Sequence, residues 1–144
     1  MSPSSQRVEV DRLREALEAH GHRFTEQRGA VHRFLSDTDT HPTAEDVFHG
    51  VREDLPAISL ATVYKNLETL VGCGMAIKLT WSDGSSRYDG RTDPHHHARC
   101  NRCGVVMDVP GNPPPEIVPD AGVCPGFHVT GYRLELTGLC AACA

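Results

Sequence analysis

Four cysteines in the last third of this chain fall into two pairs, Cys100-Asn-Arg-Cys103 and Cys140-Ala-Ala-Cys143. Two intervening residues bring a pair of thiolates close enough to grip one ion. Two such pairs supply the four sulfurs of a tetrahedral structural zinc site. The gap from Gly104 to Leu139 is long enough to be a folded segment, so the metal would clip together the ends of a subdomain. The alternative is a pair of redox disulfides. Nothing else in the chain reads as secreted or thioredoxin-like, so zinc is the expectation. Cys73 is read as a small buried apolar residue at a helix end and Cys124 as a free thiol in a loop.

A second group of possible ligands carries no sulfur: His41, Asp89, His95, His97 and Asp108. Imidazole and carboxylate donors without thiolate suit Fe(II), Mn(II) or Zn(II). His95-His96-His97 are consecutive, and strand alternation would put His95 and His97 on one face with His96 on the other. The set is spread over both halves of the chain, so a shared ion could link metal occupancy to the orientation of the halves. Spacing alone favours the simpler reading of scattered surface residues.

The elements that would position these groups differ between the halves. The first half reads as helices. Val10, Leu13 and Leu17 have helical spacing, with Gly21 as a stop. Thr25 caps a second helix carrying Val31, Phe34 and Leu35. Thr43 with Asp46 forms a capping box for a third, through Val47, Phe48 and Val51. Ser59 caps a fourth, whose apolar stripe is Leu60, Val63, Leu67, Leu70 and Val71, ended by Gly72 and Gly74. Met75–Trp81 and a return strand from Arg87-Tyr88 enclose turn residues Ser82-Asp83-Gly84-Ser85. Helices followed by a two-stranded hairpin describe a winged helix. On the fourth helix Thr62, Lys65, Asn66 and Thr69 are expected opposite the stripe, with Tyr64 beside it, as a face for a DNA major groove. Arg23, Arg28 and Arg87 are candidates for phosphate or minor-groove contacts. A solvated helix face explains the same wheel; the neighbouring helix and wing favour DNA.

Residues 1–89 are thus expected to be a DNA-binding domain, 90–94 a linker, and 95–144 a small α/β metal-binding domain, an α+β chain overall. In the latter, His97 to Val109 and Phe127 to Leu136 read as strands. Pro110-Gly-Asn-Pro-Pro-Pro115 cannot be a regular helix, and a helix from Glu116 is interrupted by Pro119 and Gly122.

With 144 residues and 39% hydrophobic content, the chain can bury a core. No stretch has the length of a membrane span and no signal-peptide run stands at the N-terminus, so a cytoplasmic location is expected. A net charge of -5 excludes a bulk basic field, leaving nucleic-acid binding to a local patch. A catalytic zinc needs an open coordination position and a base. Four cysteines close the first site, and the His/Asp set lacks an obvious substrate-pocket motif, so the chain is not read as an enzyme. A metal-buffering or redox protein remains the other alternative.

The order of these pieces resembles the ferric uptake regulator (Fur) family. Ser59-Leu-Ala-Thr-Val-Tyr-Lys-Asn-Leu67 is similar to its recognition helix; His41-Pro-Thr-Ala44, Ser85-Ser-Arg-Tyr-Asp89, His95-His-His97 and both cysteine pairs are similar to its metal motifs. The resemblance runs from about Arg23 to Cys143. It implies a homodimeric repressor with a winged-helix domain and a dimerisation domain, binding a pseudo-palindromic double-stranded DNA operator. It implies structural Zn(II) on the cysteines and regulatory Fe(II) or Mn(II) on the His/Asp set. Aspartates at 89 and 108, where iron-sensing members tend to have glutamate, resemble the peroxide-sensing (PerR) branch, which implies oxidation of a ligand histidine, with His41 and His95 the candidates. A regulator of iron or other metal uptake is the alternative within the family. One departure is Gly131-Tyr132, where members often carry a histidine.

Overall fold

The computed structural model describes residues 3–81, 83–93, 95–111, 124–130 and 132–144. The chain divides into two units, residues 1–92 and 93–144. No helix among the described residues is long and apolar enough to cross a membrane.

The first unit is a winged helix: α1 (Pro3–Ala19), α2 (Glu26–Asp37), α3 (Ala44–Val51), α4 (Leu60–Gly72), then the hairpin β1 (Ile77–Thr80) and β2 (Ser86–Asp89). Three helix starts are local events. The hydroxyls of Thr25 and Ser59 accept from the amides of Arg28 and Thr62, both at 3.1 Å. Thr43 and Asp46 exchange two bonds, 3.2 and 3.1 Å, in the expected capping box. Each cap satisfies an otherwise orphaned donor and contributes about 1 kcal/mol.

Val63, Leu67 and Leu70 follow helical spacing on α4 and are fully buried against α2 and α3. With Leu13, Leu17, Val31, Leu35 and Val47 they form the core. Burying each Leu contributes about 1.5–3 kcal/mol. Gly74 turns the chain out of α4 at φ 73°. The wing then pairs antiparallel, Ile77 with Asp89 and Thr80 with Ser86. The Asp83 carboxylate steadies its turn by accepting from the Ser85 amide and hydroxyl at 3.0 and 2.6 Å. Tyr88, on β2, belongs to the core.

The second unit is a three-stranded sheet in the order β4-β3-β5, with β3 (His96–Cys100) in the centre. β4 (Val106–Val109) is antiparallel to it and β5 (Glu135–Gly138) parallel. The sequence reading of a strand from Phe127 to Leu136 is corrected: among the described residues that strand begins at Glu135. Phe127 is two-thirds exposed, and aromatic content there marks surface instead of pairing. The proline-rich stretch and the interrupted helix after it fall mostly on residues 112–123, outside those described.

Candidate metal centres and nucleic-acid interface

Cys100 is the last residue of β3, and the chain turns sharply beyond it. The Gly104 amide donates to the Cys100 carbonyl at 3.0 Å with Gly104 at φ 77°, and the Cys103 amide points at the Cys100 Sγ from 3.5 Å. The second pair is turned in a similar way: the amides of Cys143 and Ala144 donate to the Cys140 carbonyl at 3.0 and 2.9 Å. Arg102 links the two turns by donating to the Cys143 carbonyl at 3.2 Å.

The four sulfurs lie within 4.8 Å of one another, with Cys103 and Cys140 Sγ 3.7 Å apart. That spacing is far from a disulfide bond of about 2.0 Å. It matches the edge of about 3.8 Å of a tetrahedron with metal–sulfur bonds of about 2.3 Å. The cysteine set therefore fits Zn(II), with no coordination position left for catalysis. The thiols do not ionise alike on their own. Cys100 is pulled down to about 5, chiefly by the Cys103 amide, and Cys143 is pushed up to about 12, chiefly by its hydrogen bond with Cys140. A dication is what lets four crowded sulfurs all shed their protons.

Each unit also holds nitrogen and oxygen donors. In the first, His41 Nε2 stands 3.2 Å from Asp89 Oδ2, and both residues are buried. In the second, Asp108 Oδ1 stands 3.2 Å from His95 Nε2 and 3.4 Å from His97 Nε2. Metal–ligand bonds of about 2.1 Å give edges of about 3.0 Å in an octahedron and 3.4 Å in a tetrahedron, so these spacings suit a first-row ion. The Asp93 carbonyl lies 2.7 Å from His95 Nδ1. A carbonyl can only accept, so Nδ1 carries the proton and Nε2 keeps its lone pair for a metal. His96 turns the other way, as strand alternation requires, and stacks on Tyr132 with ring centroids 5.6 Å apart. Tyr132, at the departure from the resemblance, thus offers a ring contact.

Backbone and tertiary contacts set both sides of β2. Arg87, expected as a possible phosphate contact, donates to the His41 carbonyl at 2.8 Å, and the Tyr88 amide donates to the Pro42 carbonyl at 2.9 Å. A Cβ on Gly90 would meet the Leu35 carbonyl oxygen at 2.8 Å, so only glycine lets the chain leave Asp89 this close to α2.

On α4, Tyr64 and Lys65 are exposed and Thr62 is half-buried. Tyr64 donates to the Glu45 carboxylate of α3 at 3.0 Å, which raises its pKa above the ordinary phenol value. Asn66 is the correction: it is 4% exposed, and its Nδ2 finds no hydrogen-bond partner among the described residues. A helical wheel placed it beside Lys65, but one position further round turns its side chain under the helix. Thr69 bonds back to the Lys65 carbonyl at 2.9 Å. Arg23 is exposed, and its carbonyl accepts from Arg28 at 2.8 Å, so Arg28 positions the turn instead of facing solvent freely.

Glu68 was missed entirely. Its Oε1 accepts from Lys78 of β1 at 2.8 Å and from the Tyr88 hydroxyl of β2 at 2.9 Å. Lys78, before Tyr88, lowers the carboxyl's affinity for its proton, while burial followed by Glu68 raises that of the phenol. No sequence spacing signals these contacts.

The family model described as the ferric uptake regulator family matches residues 19–137. The peroxide-responsive repressor PerR of Staphylococcus aureus is 37% identical over 143 residues, covering 94% of this chain and 97% of that protein. Among solved structures, the ferric uptake regulator Fur of Helicobacter pylori superposes with a TM-score of 0.77 at 21% identity, over 96% of this chain and 93% of that one; this likeness is one of fold. PerR from Streptococcus pyogenes, described as a peroxide sensor and gene regulator, superposes with a TM-score of 0.52 at 27% identity, over 94% and 92%.

Proposed function

This chain belongs to the ferric uptake regulator family, and we propose that it is a metal-dependent repressor that binds operator DNA as a homodimer and releases it in response to peroxide. It is a regulator and not an enzyme. The observation that carries the reading is the double membership of β2, which is one strand of the wing and ends in the candidate ligand Asp89. The likeness to a peroxide-responsive repressor along nearly the whole of both chains supports the choice of signal.

In this reading Cys100, Cys103, Cys140 and Cys143 hold structural Zn(II). His41 and Asp89 of the first unit join His95, His97 and Asp108 of the second around one Fe(II) or Mn(II). Two or three donors from either unit alone leave an ion under-coordinated, which favours a shared site. When bound, Fe(II) supplies the reduction of peroxide that none of these side chains performs. The chain's own residues fix the ligands: Arg87 holds the His41 backbone, Gly90 fixes Asp89 beside α2, and the Asp93 carbonyl sets the His95 tautomer. Oxidation of His41 or His95 would remove a good ligand and, with it, the arrangement that binds DNA.

Thr62, Tyr64 and Lys65 of α4, with Arg23, form the proposed DNA-reading surface, each dimer half taking one half-site of a pseudo-palindrome. Dimerisation suits the second unit. Its edge strand β5 is exposed along its whole length, and Val105, Met107, Leu136 and Leu139 leave apolar surface around a groove of about 130 Å³. We place the protein in the cytoplasm, where thiols stay reduced for zinc.

The test is an electrophoretic shift with promoter fragments, using zinc-replete protein with Mn(II), with Fe(II), and with chelator. Shifting that requires the divalent ion and is lost on peroxide treatment of the Fe(II) form alone is expected. Shifting indifferent to peroxide would make the protein a metal-uptake regulator, and shifting indifferent to both would overturn the reading.

A further inference from the structure

Three consecutive residues of β2 make contacts on both faces of the strand. Arg87 donates to the His41 carbonyl at 2.8 Å. Asp89 Oδ2 stands 3.2 Å from the His41 ring. Tyr88 lies between them in sequence, and strand alternation sends its side chain to the opposite face. There its hydroxyl donates to Glu68 of α4 at 2.9 Å. Tyr88 is 1% exposed, so its ring is fixed by the core and cannot swing independently of the strand. Lys78, its register partner on β1, holds the same Glu68 oxygen from 2.8 Å. The wing hairpin thus sends two hydrogen bonds to one carboxylate oxygen on the outward side of α4, one helical turn beyond Lys65.

We propose that the Tyr88–Glu68 hydrogen bond couples ion binding at the His41–Asp89 end of β2 to the placement of α4 and the wing on DNA. The inference rests on the repressor reading above. Tyr88 and Glu68 are positioning residues, since neither belongs to the candidate ligand set or to the proposed reading surface. An ion that takes up Asp89 and His41 restrains both ends of the His41–β2 contact, because Arg87 already ties the same strand to the His41 backbone. A strand restrained at Asp89 carries the rigid Tyr88 with it. Among the described residues, the Tyr88 hydroxyl reaches the exposed side of α4, where Tyr64 and Lys65 stand, through Glu68. A ligand shifts an equilibrium only by binding one state better, and this contact gives the DNA-competent placement of α4 a reason to differ in ion affinity.

The test measures DNA affinity by fluorescence anisotropy with Mn(II) and with chelator. It uses the full zinc-loaded chain and a duplex enriched from a random pool by the Mn(II)-loaded protein. The ratio of the two affinities is the coupling. Tyr88→Phe keeps the ring in the core and removes only the hydroxyl. It should reduce that ratio about five-fold, the low end of typical allosteric couplings, while DNA affinity in chelator and Mn(II) uptake by the free protein stay as in wild type. Glu68→Ala, at an exposed position that does not threaten folding, should do the same. The double variant should be no worse than either single one. Equal weakening with and without Mn(II) would assign the contact a structural role only and overturn the inference, as would an unchanged ratio in either variant. Should wild type itself show no Mn(II) dependence, the repressor reading fails and takes the inference with it. A metal-dependent wild type with fully coupled variants sinks the inference alone.

Discussion

Cys100 occupies the junction between a strand and a turn, and the Cys103 backbone amide points at its sulfur. Serine there would keep the turn but exchange a soft thiolate for a hydroxyl that stays protonated, leaving three sulfurs. Cys100→Ser should therefore lose the tightly held zinc, read as metal per chain by atomic absorption after dialysis. It should also lose the cooperative unfolding of the second unit, since β3 and β5 are joined end to end through that cluster. Retained zinc at one per chain would contradict the assignment. His32, in the first unit, has a separate role in stability. Burial pushes its protonation down from the ordinary histidine value of 6.5, Glu9 partly opposing and Arg12 adding to the effect. A histidine whose folded value lies below its unfolded one binds protons preferentially when unfolded. Stability is then full above about pH 6.5 and declines as pH falls from there toward the folded value. His32→Asn should flatten that part of the profile, measured as denaturant midpoint against pH relative to wild type. An equally steep decline in the variant would show that other groups set it.

At the scale of elements, Gly90 bears most directly on the candidate site. An alanine Cβ would lie 2.8 and 2.9 Å from the Leu35 carbonyl oxygen and carbon, which are backbone atoms of α2 and cannot turn aside as a side chain can. Gly90→Ala should cost about 1–3 kcal/mol, as overpacking does. By displacing Asp89 it should also weaken Mn(II) binding, so thermal melting and isothermal titration should move together. A variant with a lowered melting temperature and full Mn(II) affinity would separate strand position from ligand position. The same elements show what a sequence can and cannot disclose. Thr25, Thr43 and Ser59 announced their helices because a cap is satisfied within three residues. The stripe of Val63, Leu67 and Leu70 fixed the buried face of α4 for the same local reason. Asn66 was misplaced because a residue at the edge of that stripe is buried or exposed according to what packs over it, which a wheel does not contain. β5 was placed too early because a parallel edge strand is defined by its register with β3, far away in sequence. The two ligand sets were legible as residue types, whereas the contacts that hold them are not: Arg87 reaches the His41 carbonyl across 46 positions and Tyr88 reaches Glu68 across 20.

For the whole molecule, the issue is how one chain keeps a permanent metal and a responsive one apart. The division follows donor chemistry. Four sulfurs within a single unit make a site whose loss would dismantle that unit, a poor choice for a reversible signal. Imidazoles and carboxylates contributed by both units make, in our reading, a site that can open while each unit keeps its own core. The winged helix has a continuous apolar interior that does not depend on the His/Asp set. Sensing should therefore leave both units folded and change only their ability to act together on DNA. Peroxide treatment of the Fe(II)-loaded protein should add oxygen to His41 or His95, found by peptide mass spectrometry, with DNA release in parallel. Far-ultraviolet circular dichroism and zinc content should remain unchanged. The Mn(II)-loaded protein should resist, because Mn(II) does not readily reduce peroxide. Oxidation confined to cysteines with loss of zinc would instead make the sulfur cluster the sensor, and the second unit would then unfold as the signal is received.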